Sequence, residues 1–98
     1  MRDAPPPPDR SSVSRYGSEA LKVVVYSRDG ERRAVITEDQ RSCIRLRFES
    51  WDISDWKETG AAYWSQSGQL AHIIDSVERA RKMAEVEFEA YAANQENA

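Results

Sequence analysis

Apolar and polar positions follow a period of two through the first half of the chain and a helical period near its end. Leu21-Lys22-Val23-Val24-Val25-Tyr26 is a β-branched run closed by Ser27-Arg28-Asp29-Gly30. Asp-Gly between two apolar runs marks a hairpin, because the turn needs a residue at positive φ. Arg33-Ala34-Val35-Ile36-Thr37 is the returning strand, and Glu38-Asp39-Gln40-Arg41 makes the next turn. From Cys43 to Glu49 the alternation is clean. Ile44, Leu46 and Phe48 take one face, and Cys43, Arg45, Arg47 and Glu49 take the other, as in a half-buried antiparallel strand. Ser54 can then cap a short turn carrying Asp55 and Trp56, and Ala61-Ala62-Tyr63-Trp64 is a candidate short fourth strand.

Ser65-Gln66-Ser67-Gly68-Gln69 breaks the alternation and offers a serine N-cap. Beyond it, Leu70, Ile73, Ile74, Val77, Ala80, Ala84, Phe88 and Tyr91 fall in one arc at about 100° per residue. This predicts one long helix from about Gly68 to Ala93. Asp75 with Arg79, and Glu78 with Lys82, are i,i+4 pairs in the favourable order. The expected fold is therefore α+β: a three- or four-stranded antiparallel meander sheet with one long C-terminal helix packed on one face. Short connections fit hairpins, since parallel strands need long crossovers.

The first 19 residues follow neither period. Pro5, Pro6, Pro7 and Pro8 favour polyproline II. The serines and Gly17 that follow are interrupted only by Val13 and Tyr16 as apolar residues. So little apolar surface cannot offset the entropy of ordering. Residues 1–19 are thus expected to be a disordered Pro/Ser-rich tail, dispensable for folding. Residues 20–93 would be a single domain, and residues 94–98 a frayed terminus.

Composition narrows the chemistry. The chain has 98 residues, 32% charged and 40% hydrophobic, the balance of a globular domain rather than a wholly disordered chain. No apolar run approaches the roughly 20 residues of a membrane span, and the start lacks the apolar stretch of an export signal. A cytoplasmic protein with no membrane contact is expected. One cysteine and one histidine exclude a disulfide framework and multi-cysteine or multi-histidine metal sites. Phosphate-loop, nucleophile-elbow and zinc-protease motifs are absent from the sequence. Asp52, Asp55 and Glu58 read as a solvated loop, and Cys43 lacks a base partner. No catalytic residue, metal or cofactor is predicted, and the chain is not expected to be an enzyme.

Charge suggests two kinds of partner. The net charge is −3. Residues 1–50 hold 10 Lys/Arg against 8 Asp/Glu, whereas residues 51–98 hold 4 against 9. The pI of about 5.2 argues against a dedicated duplex-DNA binder. The first reading is a small non-catalytic binding module, an adaptor, inhibitor or regulatory accessory factor acting through protein–protein contacts. Trp51 and Trp56 supply aromatic anchors. Arg79, Met83 and Val86 form a second helix stripe away from the main apolar arc. The alternative is a single-stranded nucleic-acid-binding sheet face built from Lys22, Tyr26, Arg33, Arg45 and Arg47. That reading requires Tyr26 to share a face with the arginines. Either surface can also serve a homodimer, because a domain this small has a small core.

Overall fold

A computed structural model describes residues 3–96, with only the backbone described at residues 69–70 and 95–96. Four strands, β1 (Ala20–Tyr26), β2 (Arg32–Glu38), β3 (Ile44–Asp52) and β4 (Tyr63–Ile74), form one antiparallel sheet in the order β1-β2-β3-β4. A single turn of helix, α1 (Trp56–Thr59), lies between β3 and β4, and a long helix, α2 (Val77–Glu96), follows β4. The protein is an α+β domain with a four-stranded meander and one C-terminal helix against it.

Local chemistry sets the turns. In the β1–β2 connection the amide of Gly30 donates to the Ser27 carbonyl at 3.0 Å, with Gly30 at φ 76°. A side chain here would be strained and would meet the Arg10 guanidinium at 2.6 Å. Asp29 accepts from the Ser27 hydroxyl and the Glu31 amide. Asp39 plays the same part in the next turn, accepting from the amides of Arg41 and Cys43.

The core lies between the sheet and α2. Ala34, Ile36, Ile44 and Leu46 meet Ala80, Ala84 and Phe88, with Val23, Val25, Phe48, Ile74 and Val77 packed around them. Cross-strand pairs bring Ala34 opposite Phe48 and Ile36 opposite Leu46. Phe48 meets Phe88 edge to face at 5.8 Å. Two alanines on the buried stripe let α2 approach closely. Burying a Leu or Ile side chain stabilises by about 1.5–3 kcal/mol.

Three features differ from the sequence reading. The helix begins at Val77, not near Gly68, and residues 63–74 are strand. Leu70, Ile73 and Ile74 satisfy the helical arc, but Ile73 and Ile74 also alternate. Ile74 packs on the core while Ile73 is 65% exposed. Pairing wins because β3 would otherwise leave a row of unbonded backbone groups. The strand accommodates its excess length at an irregularity: Leu46 pairs with His72 but Phe48 with Ser67. The helix cap is accordingly Ser76, whose hydroxyl accepts from the Arg79 amide at 3.1 Å. Trp51 belongs to the end of β3, and Ser54 binds Asp52 rather than capping α1.

The third difference is at the start of the chain. Residues 3–19, expected as an unpacked tail, run as an extended arm over the sheet face opposite α2. Composition counted the apolar surface the arm itself carries. It did not count the donors that the sheet presents to the arm's main chain. Residues 1–2 of the expected tail, and residues 97–98 of the expected frayed end, lie outside the described residues.

Candidate functional site

The site is the sheet face away from α2. Strand alternation sends Arg45, Arg47, Glu49 and Trp51 of β3 to this side. Arg33, Val35 and Thr37 of β2 join them, because Arg33 pairs with Glu49 and Val35 with Arg47. Val24 and Tyr26 of β1 pair with Val35 and Arg33. Trp64 of β4 is opposite Trp51, with ring centroids 5.4 Å apart and nearly edge to face. Tyr26 meets Trp64 at 6.1 Å, and the Arg33 guanidinium lies over the Trp64 ring at 4.2 Å. Trp56, on α1, completes the row. The result is an aromatic groove with cations stacked into it.

The groove's donors meet the arm in a regular series. The Trp56 indole N–H donates to the Asp3 carbonyl at 2.6 Å, Trp51 to the Pro6 carbonyl at 3.2 Å, and Trp64 to the Asp9 carbonyl at 2.7 Å. Arg33 Nη1 donates to the Ser12 carbonyl at 2.9 Å. The residues accepting from the tryptophans are 3, 6 and 9; beyond them the arm bends at Arg10 and Ser11, where the Ser11 amide donates to the Asp9 carboxylate at 2.8 Å and the Tyr26 hydroxyl donates to the Arg10 carbonyl at 3.5 Å. A period of three is that of polyproline II, which has three residues per turn and no internal hydrogen bonds. Pro5 to Pro8 favour that form and have no N–H to leave unsatisfied. An indole N–H is a donor only, so acceptor and donor are matched in kind. A cleft of about 280 Å³ remains between the arm and the groove, lined in part by Asp9, Ser12, Arg33, Trp51, Tyr63 and Trp64.

Past Ser12 the arm is held by charge. Arg33 Nε donates to Glu49 Oε1 at 2.6 Å, and each residue is only 1% exposed. Arg33 Nη2 donates to the Ser14 hydroxyl at 3.1 Å, and the Tyr16 hydroxyl donates to Glu49 Oε2. Burial pushes the Glu49 carboxyl up, but bonds from Ser14 and Tyr16 and the Arg33 guanidinium outweigh it and hold the pKa below the ordinary glutamate value. Burial and the same carboxylate push Tyr16 up. Glu19 takes two bonds from Arg47, at 2.7 and 3.1 Å, and one from Thr37 at 2.6 Å. Arg47 is the main cause of the lowered Glu19 pKa.

The structure therefore brings Trp51 and Trp56 together and adds Trp64 to them. Arg79, Met83 and Val86 lie elsewhere, on the solvent side of α2, with Met83 41% and Val86 57% exposed. Arg79 pairs with Asp75 at 3.1 Å. The proposed nucleic-acid residues are also regrouped. Tyr26 does share the arginine face. Lys22, at the shift of register between Leu21 and Val23, pairs with Glu38 at 3.1 Å instead. Arg33 is engaged by Glu49, Arg45 by Asp39 at 3.0 Å, and Arg47 by Glu19. The face expected to be open and basic is covered and internally neutralised.

Trp64 falls in the tryptophan cluster of the sequence without being taken as an anchor, whereas Tyr16, Glu49 and the arm carbonyls were not singled out. The signal for them was available only in combination: a proline run of polyproline type and three tryptophans within fourteen residues. Among the described residues, no three His, Cys, Asp or Glu side chains gather to hold a metal ion, and no helix is long and apolar enough to cross a membrane. Fold and site together define a class: a small α+β domain with an aromatic, donor-rich groove on the sheet face opposite its helix. Comparison with protein-family models, curated proteins and solved structures gives no match.

Proposed function

We propose that this protein is a non-catalytic protein-binding module, and that its tryptophan groove takes an extended segment of another protein. One observation carries this reading: Trp51, Trp56 and Trp64 all aim their indole N–H groups at main-chain carbonyls of an extended chain. Aromatic grooves with such donors are a recurrent way of reading peptides. Trp and Arg are also the residues that concentrate binding energy at interfaces. The polar groups of the face, Arg33, Glu49 and Tyr16, engage one another and the arm. That arrangement serves recognition better than acid–base work. The nucleic-acid alternative is not favoured, because Arg33, Arg45 and Arg47 already have carboxylate partners.

The test is an array of extended decapeptides, with and without proline, probed with the labelled full chain. Retention of a subset, lost in a Trp51→Ala, Trp64→Ala variant that keeps its circular dichroism, is the expected result. No retention of any decapeptide would overturn the reading.

A further inference from the structure

We propose that the ligand of the groove is a proline-rich segment in the polyproline II conformation, and that residues 3–12 are a built-in competitor that must leave before it binds. This rests on the peptide-binding reading above and adds the class of ligand and its regulation.

The ligand class follows from the period of three. In polyproline II, carbonyls at i, i+3 and i+6 lie along one side, about 9 Å apart. In this protein, successive carbonyls of that series, at residues 3, 6 and 9, each meet an indole N–H. A β-strand presents its carbonyls with a period of two and would miss alternate donors. The three indole donors touch main chain, so any segment of the same helical form offers them the same acceptors. Proline favours that form in the free peptide, so less order is lost on binding.

Exchange follows from how lightly the arm is held. Asp3 to Pro7 and Asp9 to Val13 are exposed. The arm contributes no buried apolar side chain to the core. Segments with few buried contacts open at low free energy. The cleft between arm and tryptophans leaves room for larger side chains than the arm supplies. A tethered occupant competes at an effective concentration of about millimolar, so it lowers the apparent affinity for a ligand by the fraction of time the groove is closed.

The probe is a fluorescent decapeptide with the sequence of residues 3–12, measured by anisotropy against two full-length chains. One is unaltered. The other carries Pro5→Gly, Pro6→Gly, Pro7→Gly and Pro8→Gly, which loosen the arm. The altered chain should bind the peptide at least tenfold more tightly than the unaltered one. A decapeptide with its four prolines replaced by glycine should bind the altered chain at least tenfold more weakly. Adding Trp51→Phe to the altered chain removes one donor and should weaken binding severalfold.

Equal affinity of both chains for the proline peptide overturns the built-in competitor. Equal affinity of the two peptides overturns the polyproline assignment and leaves the extended-peptide groove standing. Failure of both peptides to bind an altered chain with unchanged circular dichroism and red-shifted tryptophan emission overturns the inference. The peptide-binding reading is then decided separately by the array. Pro6→Gly alone replaces the quadruple variant if the latter loses its fold.

Discussion

The two faces of the sheet are covered by opposite means. On the inner face, Ile36, Leu46 and Ala34 meet Ala80, Ala84 and Phe88 across an apolar layer. On the outer face, Arg33, Glu49 and the three tryptophans meet the main chain and hydroxyl groups of an extended arm. Apolar contact is non-directional and is lost only by exposing surface to water. Neutral hydrogen bonds can be exchanged for bonds to water at a net cost of about 0.5–1.5 kcal/mol each, and those to charged groups at about 1.5–3 kcal/mol. The inner layer is therefore expected to part only by unfolding, and under the proposed exchange the outer layer parts while the domain remains folded.

The sharpest separation comes from single substitutions on each face. Leu46→Ala removes a fully buried side chain and should destabilise by about 3 kcal/mol, lowering the melting temperature by more than ~10 °C. Glu49→Gln breaks the pair with Arg33. A lost partner in a sealed interior costs about 3–5 kcal/mol. Here the arm can lift and admit water, so the expected loss is about 1–2 kcal/mol, with tryptophan emission shifted to the red. A Glu49→Gln variant as unstable as Leu46→Ala in a thermal melt would break the comparison.

Acid should open the outer face before the inner one. The folded-state pKa values of Glu49 and Glu19 lie below the ordinary value of 4.5. Their contribution is therefore complete above that value and is lost as pH falls through the lowered ones. Tyr16 is shifted the other way, so its contribution is kept below its ordinary value of 10 and lost as pH rises beyond it. Tryptophan emission should change at a higher pH than far-ultraviolet circular dichroism during acid titration. Coincident transitions would show that the arm and the core are one unit.

Deleting residues 1–12 should leave the fold intact and lower the melting temperature by about 5 °C, equivalent to about 1 kcal/mol. The smallest effect belongs to the solvent side of α2. Val86→Glu should change stability by less than about 0.5 kcal/mol; a larger loss that grows with protein concentration in denaturant melts would mean that a second copy covers this stripe.

Much of the inner face was legible along the chain. Alternation placed Ile44, Leu46 and Phe48 on one side, Asp29-Gly30 marked the hairpin, and the helical arc carried Ala80, Ala84 and Phe88. Such patterns are local, since each residue's face is set by its neighbours' spacing. The helix boundary was not legible, because Ile73 and Ile74 satisfy two periods at once. The need of β3 for a partner, more than twenty residues away in sequence, selected the strand.

The outer face was decided by tertiary structure. Arg33, Arg45 and Arg47 read as free cations until Glu49, Asp39 and Glu19 are brought against them. Residues 3–12 read as disordered because their order depends on donors between 21 and 55 residues further along the chain. The proline run favours a period of three, and the tryptophans set the kind of donor. Only the folded sheet set those donors in the same series as the carbonyls, because hydrogen bonds between distant segments depend on three-dimensional spacing rather than on spacing along the chain.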